Sequence, residues 1–365
     1  MKIVHVVTYV SEDGAFGGPI AVAIAQLEEL SRQGHEVELL AGWDGKAKLS
    51  PAGVNVRLFK VRRLRRGGFS GLFAPGLARA ARAHAKAGAA IHVHLARDLV
   101  TMPAALAVAS YVKPVIQTHG MVMPDQRLLA RMLDHIFTKA ILRHARRVLT
   151  LTPSESQGVK DVANDSIAVE TIANGLRAKD VSTRARRTNE ILFLARLHPR
   201  KRVLAFGEMC KILVQSDVPV RCVVVGPDEG DLPRLRAFIS ENSLDQHLFY
   251  EGVLPTGDAI GRLSEAAVYV LPSTGEVFPM TVLEALAAGT PVVTTSSSGI
   301  APHLVALEAA EVNDGTPEDL ASAVLRLLDD EPRRAQLVVN GRVGLATKFS
   351  IEAVVRRLES LYGER

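Results

Sequence analysis

The chain has 365 residues, of which 47% are hydrophobic and 23% charged. These proportions exclude a disordered chain, and the length is that of two domains of similar size. No apolar run is long enough to span a bilayer, and the N-terminal MKIVHVVTYVSEDG lacks the features of a signal peptide. The only two cysteines, Cys210 and Cys222, exclude a disulfide framework and are expected to be buried thiols. We therefore expect a cytoplasmic protein.

The positive charge is concentrated in the first half of the chain. Residues 1–180 carry 24 Lys and Arg against 15 Asp and Glu, a net charge of +9, whereas the remainder carries 20 against 24. The first half is therefore expected to face an anionic partner, such as a membrane surface or a phosphate-bearing acceptor. No nucleic-acid partner is expected, because no helix combines aromatic and basic side chains suited to reading bases.

The first half alternates short apolar strands with longer helical patterns. Strands are predicted at KIVHVVTYV, HEVELLAG, VNVRLFKV, AAIHVHLA, PVIQTHG and RVLTLTP. Helices are predicted over residues 20–34, where Gly34 is a C-terminal cap, and near residues 76–87, 101–111, 126–146 and 154–163. This alternation predicts parallel βαβ units in an open sheet that is covered on both faces.

The same architecture restarts after a polar, basic segment (residues 177–189) that we interpret as a linker. The second series of strands is EILFLARL, VRCVVVGP, HLFYEGV, AVYVLPS and PVVTTS. We expect an N-terminal domain over residues 1–180 and a C-terminal domain over residues 190–348, each a doubly wound, Rossmann-like fold. Ligands of such sheets bind outside the carboxyl ends of the strands, so tandem domains predict a site in an interdomain cleft.

The segment LPSTGEVFPMTVLEALAAGTPVV (residues 271–293) has the pattern of a strand, loop, helix, turn and strand. Glu276 lies just before the helix and Glu284 about two turns further on, which predicts that both carboxylates share one face. Glu284 lies among apolar residues, where a carboxylate needs partners such as the vicinal hydroxyls of a ribose. The backbone N–H groups from Phe278 to Thr281 open the helix and suit a diphosphate or sugar oxygens. On these residues alone, a helix-terminal charge at Glu276 and an exposed Glu284 are equally good interpretations.

The extended pattern EVFPMTVLEALAAGTPVV resembles the E-x7-E signature of the retaining GT-B glycosyltransferases of family 4 (group 1). The resemblance covers nearly the whole chain and implies that Glu276 contacts the donor sugar and Glu284 the ribose. The donor pocket would include the residues that open the helix: Phe278, Pro279, Met280 and Thr281. Pro279 stands where the family more often has glycine, which removes one N–H donor.

A second motif, FLARLHPRKRV (residues 193–203), resembles the family's strand-end G-R-L-x-x-x-K motif, with Ala195 in place of the glycine. The resemblance implies that Arg196 and Lys201 bind the donor diphosphate. Fixed cations there stabilise the charge that develops on the leaving group. Because the sequence holds no D-x-D acidic pair, we expect a metal-independent reaction and no cofactor. Without the resemblance, RLHPRKR would be read as a solvated basic loop.

Two further motifs follow strands of the first half. Gly17 and Gly18 open a helix; alone they indicate a tight turn, and the resemblance places them near the diphosphate and the acceptor. His119 suits a structural hydrogen bond, while its context THGM resembles a polysaccharide-biosynthesis subgroup in which this histidine contacts the donor sugar. His92 and His94 share one face of their strand. No third ligand follows them at useful spacing, so no metal site is expected.

Two basic segments of the first half suit an anionic surface. KVRRLRRGGFSGLF (residues 60–73) mixes arginines with aromatic residues, and residues 127–147 form a helix with basic and apolar faces. Such charge is often only solvated, but in the half expected to bind the acceptor it favours docking on an anionic leaflet. We therefore expect peripheral association with the inner face of the plasma membrane.

Together these features predict an α/β, GT-B fold in which a C-terminal segment (residues 349–365, with a helix at about 349–362) crosses back to the N-terminal domain. The resemblance implies retaining transfer, by same-face attack, from a UDP- or GDP-sugar to a lipid-linked or saccharide acceptor of surface-polysaccharide biosynthesis. A nucleotide-sugar epimerase and a non-catalytic binding protein are the alternatives. A phosphorylase would need a pyridoxal lysine motif, which the sequence lacks. A non-catalytic protein would not need four residues together: Arg196, Lys201, Glu276 and Glu284.

Overall fold

The computed structural model describes residues 1–11, 17–63, 70–164, 166–177, 189–255 and 257–363. They form two compact units, one of Met1–Arg177 with Ile351–Arg365 and the other of Ala178–Ser350. Most of the linker predicted over residues 177–189 lies outside the described residues. So do residues 64–69 of the first basic segment and residues 12–16 before the first helix.

The described strands have two to nine residues, and four of them are buried at every position. In chain order they are β1 (Lys2–Val10), β2 (Glu36–Trp43), β3 (Asn55–Lys60), β4 (Arg62–Arg63), β5 (Leu72–Phe73), β6 (Ala90–His94), β7 (Val115–Gln117), β8 (Arg147–Thr150), β9 (Val169–Thr171), β10 (Glu190–Leu194), β11 (Arg221–Val225), β12 (Leu248–Gly252), β13 (Val268–Leu271), β14 (Val292–Thr295) and β15 (Glu311–Asn313).

Helices alternate with these strands. They are α1 (Gly17–Arg32), α2 (Leu77–Lys86), α3 (Thr101–Val108), α4 (Leu128–Leu133), α5 (Lys139–His144), α6 (Pro153–Ala163), α7 (Val203–Gln215), α8 (Leu232–Glu241), α9 (Ala259–Glu265), α10 (Met280–Ala288), α11 (Ala301–Ala306), α12 (Pro317–Asp329), α13 (Glu331–Thr347) and α14 (Ile351–Gly363). A π-helical turn (Asp134–Thr138) joins α4 to α5, and a 3₁₀ turn (Pro199–Lys201) precedes α7.

The sheet of the first unit is parallel throughout and has the order β3-β2-β1-β6-β7-β8-β9. The chain turns back on itself between β1 and β6, as in a Rossmann fold. Alternate residues of β1 face opposite layers: Val4 and Val6 pack with α2 and α3, whereas Ile3 and Val7 pack with α1 and α14. The sheet is therefore covered by helices on both faces.

The sheet of the second unit has the order β12-β11-β10-β13-β14-β15 and is also parallel. Its turning point lies between β10 and β13. Two parallel, Rossmann-like sheets confirm the predicted α/β fold class. The thiols of Cys210 and Cys222 are free and buried in this unit, and burial raises the pKa of Cys222.

The C-terminal helix α14 belongs to the first unit. Its apolar face, which includes Val354, Val355 and Leu358, is buried with α1 against the sheet. His35 Nε2 lies 2.6 Å from Glu359 Oε1, so a polar contact also joins the helix to the rest of the unit. The sequence located this helix to within two residues.

Two short strands and the helix predicted near residues 126–146 differ from the sequence prediction. β9 and β15, each of three residues, carry too few apolar positions for a strand pattern and were not predicted. The helix predicted near residues 126–146 contains the π turn, a feature that often marks functional sites.

Candidate functional site

The predicted donor-site residues of the second unit follow the two strands at its turning point. Arg196 and Lys201 come after β10, and Glu276 follows β13. Since the carboxyl ends of parallel strands lie at one edge of a sheet, this is where a doubly wound fold binds its ligands. The sequence predicted that these motifs directly follow strands.

Lys201 and Glu276 form an ion pair between Nζ and Oε1, and the side chains are only 14% and 22% exposed. Lys201 ends the 3₁₀ turn, which His198 caps by accepting from the N–H of Arg200 at 3.2 Å. The other oxygen of Glu276, Oε2, is buried, and no described residue hydrogen-bonds to it. One oxygen of this carboxylate is therefore left for a ligand.

The loop that carries Glu276 is held by its backbone. The carbonyl of Arg200 accepts from the N–H of Thr274 at 2.8 Å, and the Arg200 guanidinium donates to the carbonyl of Gly275. The carbonyl of Glu276 accepts from the N–H of Gly299 at 2.8 Å. These contacts fix the loop to the strand-end motif after β10 and so fix the carboxylate.

Arg196 does not join this pair. Its side chain is 57% exposed, and Nη1 donates to Glu229 Oε1 at 2.7 Å. Glu229 lies in the segment between β11 and α8. A surface pair of this kind contributes little to stability.

The helix of the E-x7-E segment begins at Met280 and not at Phe278, which corrects the predicted opening of that helix. Pro279 is extended, with ψ of 111°, and no side chain caps the helix. Phe278 is buried, and its ring meets Phe349 edge-on at 6.1 Å. Free N–H groups are therefore expected at Met280 and Thr281, in the first turn of the helix.

Glu284 lies in the middle of α10, and the helix covers only part of the interval between Glu276 and Glu284. Counting helical turns from Glu276 therefore does not place the two carboxylates on one face. Burial raises the pKa of Tyr269, and the charges of Glu276 and Glu284 raise it further, so both carboxylates lie within electrostatic reach of this buried hydroxyl. The Tyr269 hydroxyl lies 2.7 Å from Thr281 Oγ1. Burial raises the pKa of Glu284, so it is not the exposed residue of the alternative interpretation. Tyr269 was missed, although a tyrosine inside the apolar run VYVL is a signal.

In the first unit, His119 follows β7 in the left-handed region, with φ of 50°. The buried carboxylate of Glu155 holds this turn. It accepts from Thr118 Oγ1 at 2.5 Å, from the N–H of Leu151 at 2.7 Å and from the N–H of Gly120. Glu155 was also missed; its signal is the capping-box pattern that it forms with Thr152, whose Oγ1 accepts from the N–H of Glu155.

A buried carboxylate also lies at the turning point of the first sheet. Asp98, after β6, accepts from Thr8 Oγ1 at 2.7 Å and from the N–H groups of Val100 and Thr101, each at 2.7 Å. Burial raises the pKa of Asp98. All of these donors belong to the fold, so Asp98 is a structural residue that joins β1 to the start of α3.

No third ligand follows His92 and His94 at useful spacing in the sequence, but the fold brings a third imidazole, that of His5, close to them. His5 of β1 is the register partner of His92, so its side chain lies on the same face of the sheet. Within the described part of the chain, these three are the residues that could share a metal ion, with ligating atoms within 4.8 Å of one another. However, the rings of His92 and His94 stack in parallel, 4.6 Å apart at an angle of 5°, and do not converge on one point.

Gly17 and Gly18 begin α1, after the strand that ends at Val10. A Cβ on Gly18 would meet no described atom within 4 Å. Packing within the fold therefore does not demand glycine here, and the open space is available to a ligand.

The segment from α4 to α5 presents apolar side chains to solvent. Leu128 is 74% exposed, Met132 50% and Ile136 54%, with Arg131 and Lys139 beside them along a groove of about 590 Å³. None of the described helices combines the length and hydrophobicity needed to cross a membrane.

Comparison with known proteins places both halves of the chain in the same family. Residues 16–179 match the model of Glycosyltransferase Family 4, and residues 177–343 match that of the Glycosyl transferases group 1. The chain belongs to the family 4, group 1 glycosyltransferases and has their GT-B fold.

The similar sequences are named as sugar transferases. The chain is 29% identical to the amylovoran biosynthesis glycosyltransferase AmsK of Erwinia amylovora over 47% of its own length and 44% of that protein. The chain thus spans about half the length of this curated relative. It is 25% identical to the D-inositol 3-phosphate glycosyltransferase of Corynebacterium diphtheriae over 96% of its length and 90% of that protein.

Among solved structures, Anabaena HepE in complex with UDP and glucose is similar over the full length of both chains, with a TM-score of 0.73 and 16% identity. This likeness supports the fold.

Proposed function

We propose that the protein is a retaining glycosyltransferase that takes a sugar from a UDP- or GDP-sugar without a divalent metal. The observation that carries this proposal is the site at the turning point of the second sheet. There, Glu276 keeps one buried oxygen without a partner beside the ammonium of Lys201. A cation next to an acceptor oxygen suits a ligand that presents both a phosphate and a sugar hydroxyl.

The residues of this site would bind different parts of the donor. Lys201 and Arg196 would neutralise the diphosphate as its bond to the sugar breaks, which is the work that a metal does in other transferases. Glu284, half-buried in the middle of its helix, would accept from the ribose hydroxyls. The N–H groups of Met280 and Thr281 would bind a phosphate or sugar oxygen at the helix N-terminus.

The acceptor that we propose is a lipid-linked or saccharide intermediate of a surface polysaccharide, bound by the first unit. AmsK is named for amylovoran biosynthesis, and the Staphylococcus aureus relative CapM for capsular polysaccharide biosynthesis. HepE was crystallised with UDP and glucose. These names support a nucleotide-sugar donor and a saccharide product.

We also propose that the first unit docks peripherally on an anionic membrane. The support is the exposed apolar row Leu128, Met132 and Ile136 among basic residues, in the half of the chain with a net charge of +9. A helix that offers apolar side chains flanked by cations suits the boundary between headgroups and acyl chains.

The experiment is a thermal-shift screen of UDP- and GDP-sugars, followed by measurement of nucleoside diphosphate release with saccharide and lipid-linked acceptors. One nucleotide sugar should stabilise the wild-type protein, and at the same concentration it should stabilise Glu284→Gln much less. The exposed Glu318→Gln is the matched control and should respond like the wild type. If no nucleotide sugar stabilises the protein and none is turned over, the proposal is wrong.

A further inference from the structure

A chain of hydrogen bonds runs through the core of the first unit from α14 to His119. His119 Nε2 lies 2.7 Å from His94 Nδ1, and His94 Nε2 lies 3.1 Å from His5 Nδ1. His5 Nε2 lies 3.0 Å from the hydroxyl oxygen of Tyr362, which is 2.6 Å from His92 Nδ1. The rings of His94 and His119 also stack, with centroids 5.0 Å apart. Four contacts therefore connect five side chains in one line.

All four imidazoles in this line are neutral near pH 7. Burial lowers the pKa of His5, His92 and His94 well below the usual range of histidine, and it lowers the pKa of His119 to about 3. A neutral imidazole has one N–H donor and one bare nitrogen acceptor. Each contact in the line needs a single hydrogen, so the position of one proton determines the position of the next.

The protonation of His92, at the end of the line opposite His119, determines which group donates in each hydrogen bond. His92 Nε2 is buried and has no hydrogen-bond partner among the described residues. A buried N–H without an acceptor is more costly than a bare acceptor nitrogen. The proton of His92 therefore belongs on Nδ1, where it is donated to Tyr362.

The remaining protons follow in order. Because Tyr362 accepts from His92, its own hydrogen is donated to Nε2 of His5. His5 then carries its proton on Nδ1 and donates it to His94 Nε2. His94 likewise donates from Nδ1 to Nε2 of His119. We infer that this buried line holds His119 in the tautomer protonated on Nδ1, so that the histidine is a hydrogen-bond donor to a ligand and not an acceptor.

The free end of the line is suited to a ligand. No described residue hydrogen-bonds to His119 Nδ1, and the left-handed backbone at His119 is fixed by Glu155 through Gly120. The group that Nδ1–H would meet is an oxygen lone pair of a sugar hydroxyl or phosphate; this last step rests on the proposed function. His5, His92, His94 and Tyr362 are positioning residues, since they act only through His119.

The test is made first on the ligand-free, wild-type chain with ¹⁵N-labelled histidine. Long-range ¹H–¹⁵N correlation spectra report which ring nitrogen of each histidine carries the proton. We expect protonation on Nδ1 for all four histidines of the line. A His119 that carries its proton on Nε2, or on both nitrogens, at pH 7 overturns the inference. So does a stoichiometric metal ion found in the purified protein, because a metal would take the nitrogens that the line uses.

Variants test the positioning role. Tyr362→Phe keeps the ring but removes the hydroxyl, so His119 should become a mixture of two tautomers. The ratio kcat/KM should fall about threefold to tenfold, the usual effect of one neutral hydrogen bond. His303→Gln, a histidine of the second unit, is the control and should leave the His119 spectrum unchanged. If Tyr362→Phe leaves the His119 tautomer pure, the line does not set it. A negative nucleotide-sugar screen counts against the proposed function alone, since the tautomer is read without a ligand.

Discussion

Lys201 and Glu276 form an ion pair with each other, although the family resemblance assigns the first to the donor diphosphate and the second to the donor sugar. The pair has two consequences. It holds both side chains in place, and in the proposed site it must rearrange when phosphate reaches the ammonium. Stability and transfer therefore respond differently to the two predicted diphosphate cations, Lys201 and Arg196.

Replacing either cation should lower transfer, but only one replacement should weaken the fold. Lys201→Ala and Arg196→Ala should each lower kcat about a hundredfold to a thousandfold, because each removes charge stabilisation from the leaving group. Lys201→Ala also leaves the shielded Glu276 without its partner, which should lower the free energy of unfolding by about 1–3 kcal/mol. Arg196→Ala breaks only an exposed pair, which should change it by about 1 kcal/mol or less.

The measurements are steady-state transfer and chemical denaturation. Arg236→Ala, which removes an exposed arginine of α8, is the control and should change neither quantity. Wild-type transfer by the double variant Arg196→Ala/Lys201→Ala would show that the diphosphate site has been misassigned.

Glu284 should give the donor affinity a dependence on pH. Burial raises its pKa, so the folded protein binds this proton more tightly than the unfolded chain does. Its favourable contribution to stability is therefore present below the usual pKa of glutamate and is lost as the pH rises through the raised value. Ribose binding needs the carboxylate, so donor affinity should fall as the pH is lowered, beginning above the ordinary pKa of about 4.3.

Glu284→Gln separates these two effects. At pH 7 it should raise the unfolding temperature and lower donor affinity about tenfold or more, since it removes a charged acceptor. Calorimetric titration and thermal unfolding between about pH 5 and pH 8 measure both. A wild-type affinity that is constant over this range would mean that Glu284 does not bind the donor as a carboxylate.

Transfer should survive chelation by EDTA. The sequence contains no D-x-D pair to hold a metal at the diphosphate. In the proposed site, Lys201 and Arg196 supply the positive charge instead. Complete loss of transfer on chelation, with recovery on addition of manganese or magnesium, would contradict the proposed site.

The sequence was sufficient for the fold and for the positions of the predicted donor-site residues. The periodicity of apolar residues that distinguishes strands from helices is a local property of the sequence. Motifs that directly follow parallel strands lie at one edge of the sheet. This is why Arg196, Lys201 and Glu276 were placed correctly after β10 and β13.

Sequence patterns could not predict contacts between segments that are far apart in the chain. The ion pair of Lys201 with Glu276 joins residues 75 positions apart. His5 reaches His92 only because β1 and β6 are neighbours with a particular register. The start of α10 was misplaced because Pro279, just before the helix, has an extended backbone. The helix-like pattern of apolar residues in this segment does not reveal that extended residue.

The buried histidines should make the protein sensitive to mild acid. The pKa values of His5, His92 and His94 are lowered in the folded state, so the unfolded chain binds these protons more readily. Their contribution to stability is present above the usual histidine pKa of about 6.5 and is lost as the pH falls below it. Each proton taken up on unfolding should lower the free energy of unfolding by about 1.4 kcal/mol per pH unit.

Denaturation curves between about pH 7 and pH 5 measure this slope. His94→Gln removes one of the titrating groups and should make the slope shallower, whereas the exposed His135→Gln should not. An unfolding free energy that stays level across this range would rule out neutral, buried histidines in the folded protein.

Membrane association through the first unit can be tested with vesicles of two compositions. The basic residues supply an attraction of about 1 kcal/mol each at an anionic surface, which screening by salt weakens. Vesicles with anionic lipid should therefore retain the protein at low salt and release much of it at high salt, and neutral vesicles should retain little. Arg62→Ser with Arg63→Ser should weaken retention without changing donor binding. The other two arginines of the same basic segment, Arg65 and Arg66, lie outside the described residues, and replacing them with Ser as well should weaken retention further.

The exposed apolar row provides the sharper variant. Leu128→Ser, Met132→Ser and Ile136→Ser together should lower retention on anionic vesicles, because the apolar face can no longer enter the acyl boundary. Their exposure makes loss of fold stability small. The matched control replaces three equally exposed valines of the second unit, Val305, Val339 and Val343, which are 59%, 53% and 53% exposed. If the control triple loses retention equally, or if neutral and anionic vesicles behave alike, the first unit has no membrane-docking face and a soluble acceptor is the better interpretation.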